Sequence, residues 1–165
     1  MGLFRIFIDT EFTNLSDIGL ISIALVSDEG DEFYRVVNDF DREECGDFTK
    51  QYVLPQLMDE PGAMMPRAQL RGELRAWLEQ FKDRRPCLCY DDFADFALYR
   101  ELVEADVPPW LMSENIWQKI DAERRQQFWS ESGLQEHHAL NDAKANRVSY
   151  RVPGDSSGGP LQAHN

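Results

Sequence analysis

The chain has 165 residues and a formal net charge of −13, and 42% of its residues are hydrophobic. This length suits one domain with one core, and the charge argues against binding nucleic acid through a broad basic surface. No apolar run approaches the roughly 20 residues that span a bilayer, and the first residues lack the features of a signal peptide. We therefore expect a soluble, cytoplasmic protein with no membrane partner.

Three strands are predicted in the first part of the chain. Residues 3–9 form a buried strand that ends in an acidic residue, residues 18–26 a strongly apolar strand, and residues 32–37 an alternating strand. Residues 29–31, Glu-Gly-Asp, supply turn chemistry before the third strand. Short connections between consecutive strands indicate an antiparallel three-strand meander.

A polar stretch from 38 to 65 follows, and then helices and one strand are predicted. The predicted elements are a helix over 67–82, a strand over 87–90, a helix over 93–104, a helix near 116–129 and a helix from about 138 to 152. This order predicts a mixed sheet with helices packed on it, α/β or α+β. We expect one domain over residues 1–152, and a disordered tail over the Gly-, Ser- and Pro-rich residues 153–165.

The three cysteines, Cys45, Cys87 and Cys89, predict no zinc site. Cys87 and Cys89 are two residues apart, so strand alternation points both side chains to one face. We expect reduced thiols that pack in the core.

Acidic residues are concentrated in two places that follow predicted strands. Asp9 and Glu11 end the first strand, and alternation puts both on one face, where a hard divalent cation would relieve their repulsion. The alternative is two solvated acids. Asp91, Asp92 and Asp95 follow the strand over 87–90. They are either part of a reactive site at the strand end or acids that stabilise the N-terminus of the next helix, where Asp92 is well placed as the N-cap.

Two of the three histidines, His137 and His138, precede Asp142 near the start of the last predicted helix. Histidine is well suited to proton transfer near neutral pH. Helical spacing favours His138, because it lies four residues before Asp142 and hence on the same face. The alternative is a pair of surface histidines without a catalytic role.

Together, these residues resemble the DEDDh branch of the DEDD superfamily of 3′–5′ exonucleases, which includes oligoribonuclease, ribonuclease T and proofreading domains. The first family motif, D-x-E followed by T-G-L, is matched by residues 9–15, DTEFTNL. An aspartate that opens a helix is matched by Asp95, and H-x-A-x-x-D by residues 137–142. The resemblance covers roughly residues 3–152.

The resemblance implies a ribonuclease-H-like α/β fold and two-metal hydrolysis of single-stranded nucleic acid, with RNA favoured over DNA. Four acids, Asp9, Glu11, Asp95 and Asp142, would hold two Mg²⁺ or Mn²⁺ ions about 3.5–4 Å apart. His137, from a loop before the helix, would be the general base. Family members are often homodimers, so a homodimer is expected. The alternatives are a deoxyribonuclease, a silent nucleic-acid-binding module of this fold, and an unrelated metalloenzyme that uses histidine as a ligand.

The chain departs from the family pattern at two positions. Asn14 replaces a glycine, and we expect it to adopt the left-handed backbone that asparagine tolerates. Alanine precedes Asp95, which leaves Asp91 or Asp92 as competitors for the second-motif role.

Apart from these motifs, two sets of residues suggest contacts with a nucleic-acid strand. One set is basic and has helical spacing on two predicted helices: Arg67, Arg71 and Arg75, and Lys144, Arg147 and Arg151. These residues form either a phosphate-guiding face or ordinary solvated faces. Phe12 and Leu15 form the other set and could stack on a terminal base, with core packing the alternative for Phe12.

Overall fold

A six-stranded mixed sheet organises the chain in the computed structural model, which describes residues 2–59 and 61–152. The strands are Phe4–Phe12 (β1), Leu20–Ser27 (β2), Glu32–Val37 (β3), Met64–Met65 (β4), Pro86–Tyr90 (β5) and Met112–Asn115 (β6). Their order across the sheet is β4-β3-β2-β1-β5-β6. The tail predicted over 153–165 lies outside the described residues.

Antiparallel and parallel pairing meet in this sheet. β1 pairs with β2 and β2 with β3 in antiparallel fashion, whereas β4, β5 and β6 each join the sheet by parallel pairing. The predicted meander and mixed α/β architecture are confirmed, and the arrangement is consistent with a ribonuclease-H-like fold. The prediction missed β4 and β6, which are short edge strands of two and four residues.

Four α-helices flank the sheet, with short helical turns between elements. The helices are Arg67–Glu79 (α1), Phe93–Leu102 (α2), Ala122–Ser132 (α3) and Ala139–Ser149 (α4). A π-helical turn spans Thr49–Val53, and 3₁₀ turns span Leu54–Asp59, Pro61–Ala63, Lys82–Arg84 and Trp117–Lys119. The last helix ends three residues before its predicted end, because Tyr150 adopts an extended backbone and forms an isolated bridge with Ile120.

The core lies on both faces of the sheet. Every residue of β2 is buried, which accounts for its continuous apolar run. On one face, Leu70, Leu74 and Leu78 of α1 pack with the leucines of α2 against the sheet. On the other face, α4 packs against the sheet through small residues such as Ala139 and Ala143. The sheet is therefore covered by helices on both sides.

The three cysteines are free and buried, as predicted. Cys87 and Cys89 pack with Phe7 beneath Tyr150 on the α4 side of the sheet. Glu114 of β6 brings a carboxylate within 4.8 Å of both sulfurs, and Lys119 forms an ion pair with this carboxylate. Among the described residues, no helix is long and apolar enough to cross a membrane.

Candidate active site

Asp9 and Glu11 lie at the C-terminal end of the central strand β1. Both belong to the face that packs against α4, because strand alternation places every second side chain there. The pairing of β1 with β2 is interrupted by a bulge between Glu11 and Phe12. A bulge bends the strand and re-aims its side chains, and bulges are common beside functional sites. The end of β1 thus turns two carboxylates toward α4.

The acidic residues form two overlapping groups that share Asp9. In the first group, one oxygen each from Asp9, Glu11 and Asp142 lies within 4.8 Å of the others. In the second, Asp9, Asp91 and Asp95 meet the same distance criterion. These donors are all carboxylate oxygens, the ligand type that Mg²⁺ and Mn²⁺ prefer. The donor atoms of each group therefore suit a hard divalent cation.

Asp95 lies in the first turn of α2 and is buried. Its Oδ1 accepts hydrogen bonds from the backbone N–H of Thr10 at 2.9 Å and from the Thr10 hydroxyl at 2.7 Å. Its Oδ2 is also buried and has no hydrogen-bond partner among the described residues. Burying an unsatisfied carboxylate oxygen is costly, so this atom is suited to binding a cation. Thr10 holds the start of α2 against β1 and aims the Asp95 carboxyl group at Asp9.

Asp142 reaches the cluster from the first turn of α4. Its Oδ2 accepts the backbone N–H of His138, the N-cap residue, at 3.0 Å. The N-terminus of a helix favours negative charge, and Asp142 is buried there. The hydrogen bond ties this carboxylate to the chain segment that carries the two histidines.

Asp91 and Asp92 are engaged in other ways. Asp92 is the N-cap of α2 and accepts the backbone N–H of Ala94 at 2.8 Å, as predicted. Asp91 accepts hydrogen bonds on both oxygens, from Arg125 at 3.0 Å and from the Asn146 amide at 2.7 Å. Asp91 thus lies close to Asp9, but both of its oxygens already have partners, whereas the Oδ2 of Asp95 has none among the described residues. This difference favours Asp95 for the second-motif role.

Burial and mutual repulsion raise the pKa values of the clustered carboxyl groups. Burial, then the neighbouring Asp142 and Asp95, raises the pKa of Glu11 to about 8. Burial raises the pKa of Asp95 to about 8 despite the hydrogen bonds from Thr10, and raises that of Asp142 to about 7. The pKa of Asp9, which lies in both groups, is raised well above its usual value by burial and by the surrounding carboxyls. Such perturbation is typical of functional sites.

His137 lies outside α4, on the preceding loop, as predicted. Its φ is 63°, a left-handed conformation in which histidine is enriched among non-glycine residues. Its imidazole ring packs edge-on against Phe48, with centroids 4.8 Å apart, and lies 6.0 Å from the Tyr52 ring. His138 instead stacks on Tyr34 of β3 with centroids 4.6 Å apart. The two adjacent histidines therefore have different surroundings: His137 lies in an aromatic corner and His138 against the sheet.

A mostly apolar cavity of about 360 Å³ adjoins Glu11. Phe12, Leu15, Phe48 and Val53 supply its apolar walls. Leu15 is 90% exposed, whereas Phe12 is partly buried against the main core. Core packing, the alternative stated for Phe12, is therefore confirmed, although the residue also lines the cavity.

Asn14 does not adopt the predicted left-handed backbone, since it is not among the described residues with a positive φ. Its side chain stabilises the turn after β1 instead. Oδ1 accepts hydrogen bonds from both the backbone and hydroxyl of Ser16 and from the backbone of Asp17, and Nδ2 donates to the Glu44 carbonyl. The predicted left-handed backbone was wrong, because the hydrogen bonds of the Asn14 side chain stabilise the turn without a positive φ.

Neither basic stripe is a free phosphate-binding face. Arg67, Arg71 and Arg75 form ion pairs with acids that follow or end α2, namely Glu101, Glu104 and Asp106. In the second stripe, Lys144 pairs with Glu32 and Arg151 with Asp121, while Arg147 donates to the Asp28 carbonyl. The stripes serve to hold elements together, and they leave the carboxylate cluster without a basic groove made from them.

Three residues near the cluster had no predicted role. Phe48 and Tyr52 are four residues apart in a segment without clear periodicity, and their spacing on a helical turn was the available signal. Arg125 on α3 approaches Asp91 across 34 residues of sequence, and no local pattern predicts such a contact.

No family model matches the chain. Two curated proteins from Mycobacterium tuberculosis, of strains CDC 1551 and H37Rv, are named 3′-5′ exoribonuclease and are each 40% identical to it over 78 residues. The matched segment covers 47% of this chain and 45% of each relative. The chain thus spans about half the length of the curated relatives it matches.

Proposed function

We propose that the chain is a metal-dependent 3′–5′ exonuclease of the DEDDh type that hydrolyses single-stranded RNA to 5′-mononucleotides. The observation that carries this proposal is the pair of carboxylate groups that share Asp9, one completed by Glu11 and Asp142 and the other by Asp91 and Asp95. Two such groups side by side suit the two-cation clamp used in phosphodiester hydrolysis. The name of the two relatives supports 3′–5′ exoribonuclease activity.

Asp9, Glu11, Asp95 and Asp142 would hold two Mg²⁺ or Mn²⁺ ions. When bound, the cations make the attacking water more acidic and offset the negative charge that develops on the leaving 3′ oxygen. The raised pKa values and the unpartnered Oδ2 of Asp95 support this assignment, because a cation would relieve both the repulsion and the unsatisfied oxygen.

His137 would accept the proton of the attacking water at its imidazole ring. It is suited to this task because histidine titrates near neutral pH and because the loop position lets the ring turn toward the cluster once substrate binds. Asp142 would orient the same segment through its hydrogen bond to the His138 backbone. Arg125 would bind one oxygen of Asp91 and the Asn146 amide the other. In this scheme the four carboxylates would bind the cations, and the imidazole of His137 would accept the proton.

The terminal nucleotide would bind in the apolar cavity beside Glu11. Leu15 and Phe48 offer exposed apolar surface there, and a base can stack on such side chains without sequence preference. The net charge of −13 and the ion-paired basic stripes offer little attraction to a long phosphate backbone. The enzyme would therefore bind the 3′ end of its substrate and grip the rest of the strand weakly.

A time course on matched RNA and DNA oligomers labelled at the 5′ end tests the proposal. We expect RNA to shorten in single-nucleotide steps in Mg²⁺ or Mn²⁺ and to stay intact in EDTA. Faster loss of DNA would establish the alternative deoxyribonuclease, and binding without cleavage the silent module. Cuts at internal positions would contradict exonuclease action.

A histidine-ligated metalloenzyme is a second candidate that the geometry disfavours. Among the residues that the structure describes, neither metal-capable group at the end of β1 includes a histidine. Activity supported by Zn²⁺ but not by Mg²⁺ or Mn²⁺ would favour that alternative. A homodimer and a cytoplasmic location stay predictions.

A further inference from the structure

Side-chain amides bind the backbone of the loop that carries His137. The carbonyl oxygens of Gln135, Glu136 and His137, three residues in succession, each accept an N–H from a side-chain amide. Asn141 of α4 donates to Gln135 at 2.9 Å. The other two carbonyls are bound by one residue from a distant part of the chain, Gln56.

Gln56 lies in the 3₁₀ turn Leu54–Asp59, some 80 residues from the loop. Its Nε2 atom donates to the carbonyls of Glu136 at 2.9 Å and His137 at 3.1 Å, and to that of Tyr52, in its own segment, at 2.8 Å. One NH₂ group thus bridges the segment that carries Phe48 and Tyr52 and the loop that carries His137. An amide group has only two such hydrogens, so all its donor capacity is used on these carbonyls.

The conformation held by these bonds is an unusual one. His137 is left-handed, with a φ of 63°, and a non-glycine residue keeps such a backbone only where its surroundings hold it. The rings of Phe48 and Tyr52, which belong to the segment that Gln56 joins to the loop, lie beside the imidazole. The amide bonds therefore fix the backbone of His137 directly before His138, whose N–H is bound by the Asp142 carboxylate.

We propose that Gln56 is a positioning residue that holds His137 ready to act as general base; this inference rests on the proposed function. In this proposal Gln56 acts through the backbone of the loop, by its bonds to the carbonyls of Glu136 and His137. Its removal should therefore lower the rate of the chemical step and leave the binding of RNA and of cations largely unchanged, because catalysis depends on close placement of the reacting groups.

The test compares three substitutions at one position. Gln56→Glu has nearly the same shape but replaces the donors with an oxygen that faces three carbonyl oxygens, and Gln56→Leu removes the donors without adding charge. We expect at least a tenfold loss of kcat in both, with KM for a 5′-labelled RNA oligomer changed less than threefold. Gln56→Lys retains N–H donors on a long side chain and should recover most of the activity. Gln118→Glu, at an exposed glutamine in the turn Trp117–Lys119, is the matched control.

A double-mutant cycle separates positioning from a merely structural role. If Gln56 acts through His137, Gln56→Glu should cost no further activity in a His137→Ala background. Thermal unfolding with and without Mn²⁺ shows whether each variant folds and binds cations. Wild-type kcat in Gln56→Leu, or an equal loss in the His137→Ala background, would overturn the inference. Full activity in His137→Ala alone, or no activity in the wild type, would instead refute the proposed function.

Discussion

Replacing Glu11 by glutamine is expected to stabilise the metal-free protein at pH 8 while abolishing cleavage of RNA. Burial and the carboxyls of Asp142 and Asp95 raise the pKa of Glu11 from 4.5 to about 8 in the folded protein. Between these pH values the folded protein keeps a proton that the unfolded chain releases, so the free energy of unfolding falls as pH rises through this window. Glutamine carries no charge at any pH and removes this loss.

The size of the effect follows from the same pKa values. At 1.36 kcal/mol per pKa unit, raising the pKa of Glu11 from 4.5 to about 8 corresponds to at most about 5 kcal/mol of lost stability above pH 8. Glu11 is partly exposed, and solvent screening reduces the effect, so we expect Glu11→Gln to recover about 1–2 kcal/mol. In a domain of this size, that raises the Tm by about 2–8 °C.

Thermal unfolding in EDTA at pH 5 and pH 8 measures this effect, with the exposed Glu43→Gln as control. The gain in Tm from Glu11→Gln should be larger at pH 8 than at pH 5, and Glu43→Gln should show no such difference. Mn²⁺ should raise the Tm of the wild type more than that of Glu11→Gln, because a ligand bound only by the folded state stabilises it. A lower Tm for Glu11→Gln than for the wild type at pH 8 in EDTA would refute the reasoning.

Three further predictions concern neighbouring residues. His137→Ala should lose at least about two orders of magnitude in turnover but should still show the rise in Tm with Mn²⁺, whereas His138→Ala should retain most activity. The reverse ranking of the two variants in a cleavage assay would make His138 the general base. Asp95→Asn should be inactive, whereas Asp91→Asn should cut RNA at near wild-type rates but unfold at a lower temperature, because it weakens the ion pair with Arg125. An inactive Asp91→Asn would show that Asp91, not Asp95, has the second-motif role. Arg71→Gln should leave KM for RNA unchanged, because this arginine pairs with Glu104, and a marked rise in KM would show that the first basic stripe binds nucleic acid.

Features that depend on local patterns were predictable from the sequence. Strand alternation put Asp9 and Glu11 on one face, and the apolar run over residues 18–26 predicted the strand β2, every residue of which is buried. The capping role of Asp92 followed from its residue type and its place before a helix. The loop position of His137 followed from the family resemblance, against the helical spacing that favoured His138.

Features that depend on distant contacts were not predictable in this way. The approach of Asp95 to Asp9 requires the parallel pairing of β1 with β5, which no local signal specifies. Helical spacing identified the face that carries Arg71 but not its acidic partner, which comes from beyond α2. Gln56 lies in a segment of irregular turns, and its bond to His137 spans 81 residues of sequence.

Cleavage of a 5′-labelled linear RNA by the wild type and by Asp142→Asn, purified side by side, tests the central claim most directly. The claim is that the protein hydrolyses RNA from its 3′ end and that this activity depends on the carboxylate cluster around Asp9. The wild type with Mn²⁺ should produce a ladder of single-nucleotide steps and leave a circular RNA of the same sequence intact. Asp142→Asn should fold, as judged by cooperative thermal unfolding, and produce no ladder. A ladder of equal rate from the two proteins, or cutting of the circle by the wild type, would contradict the account.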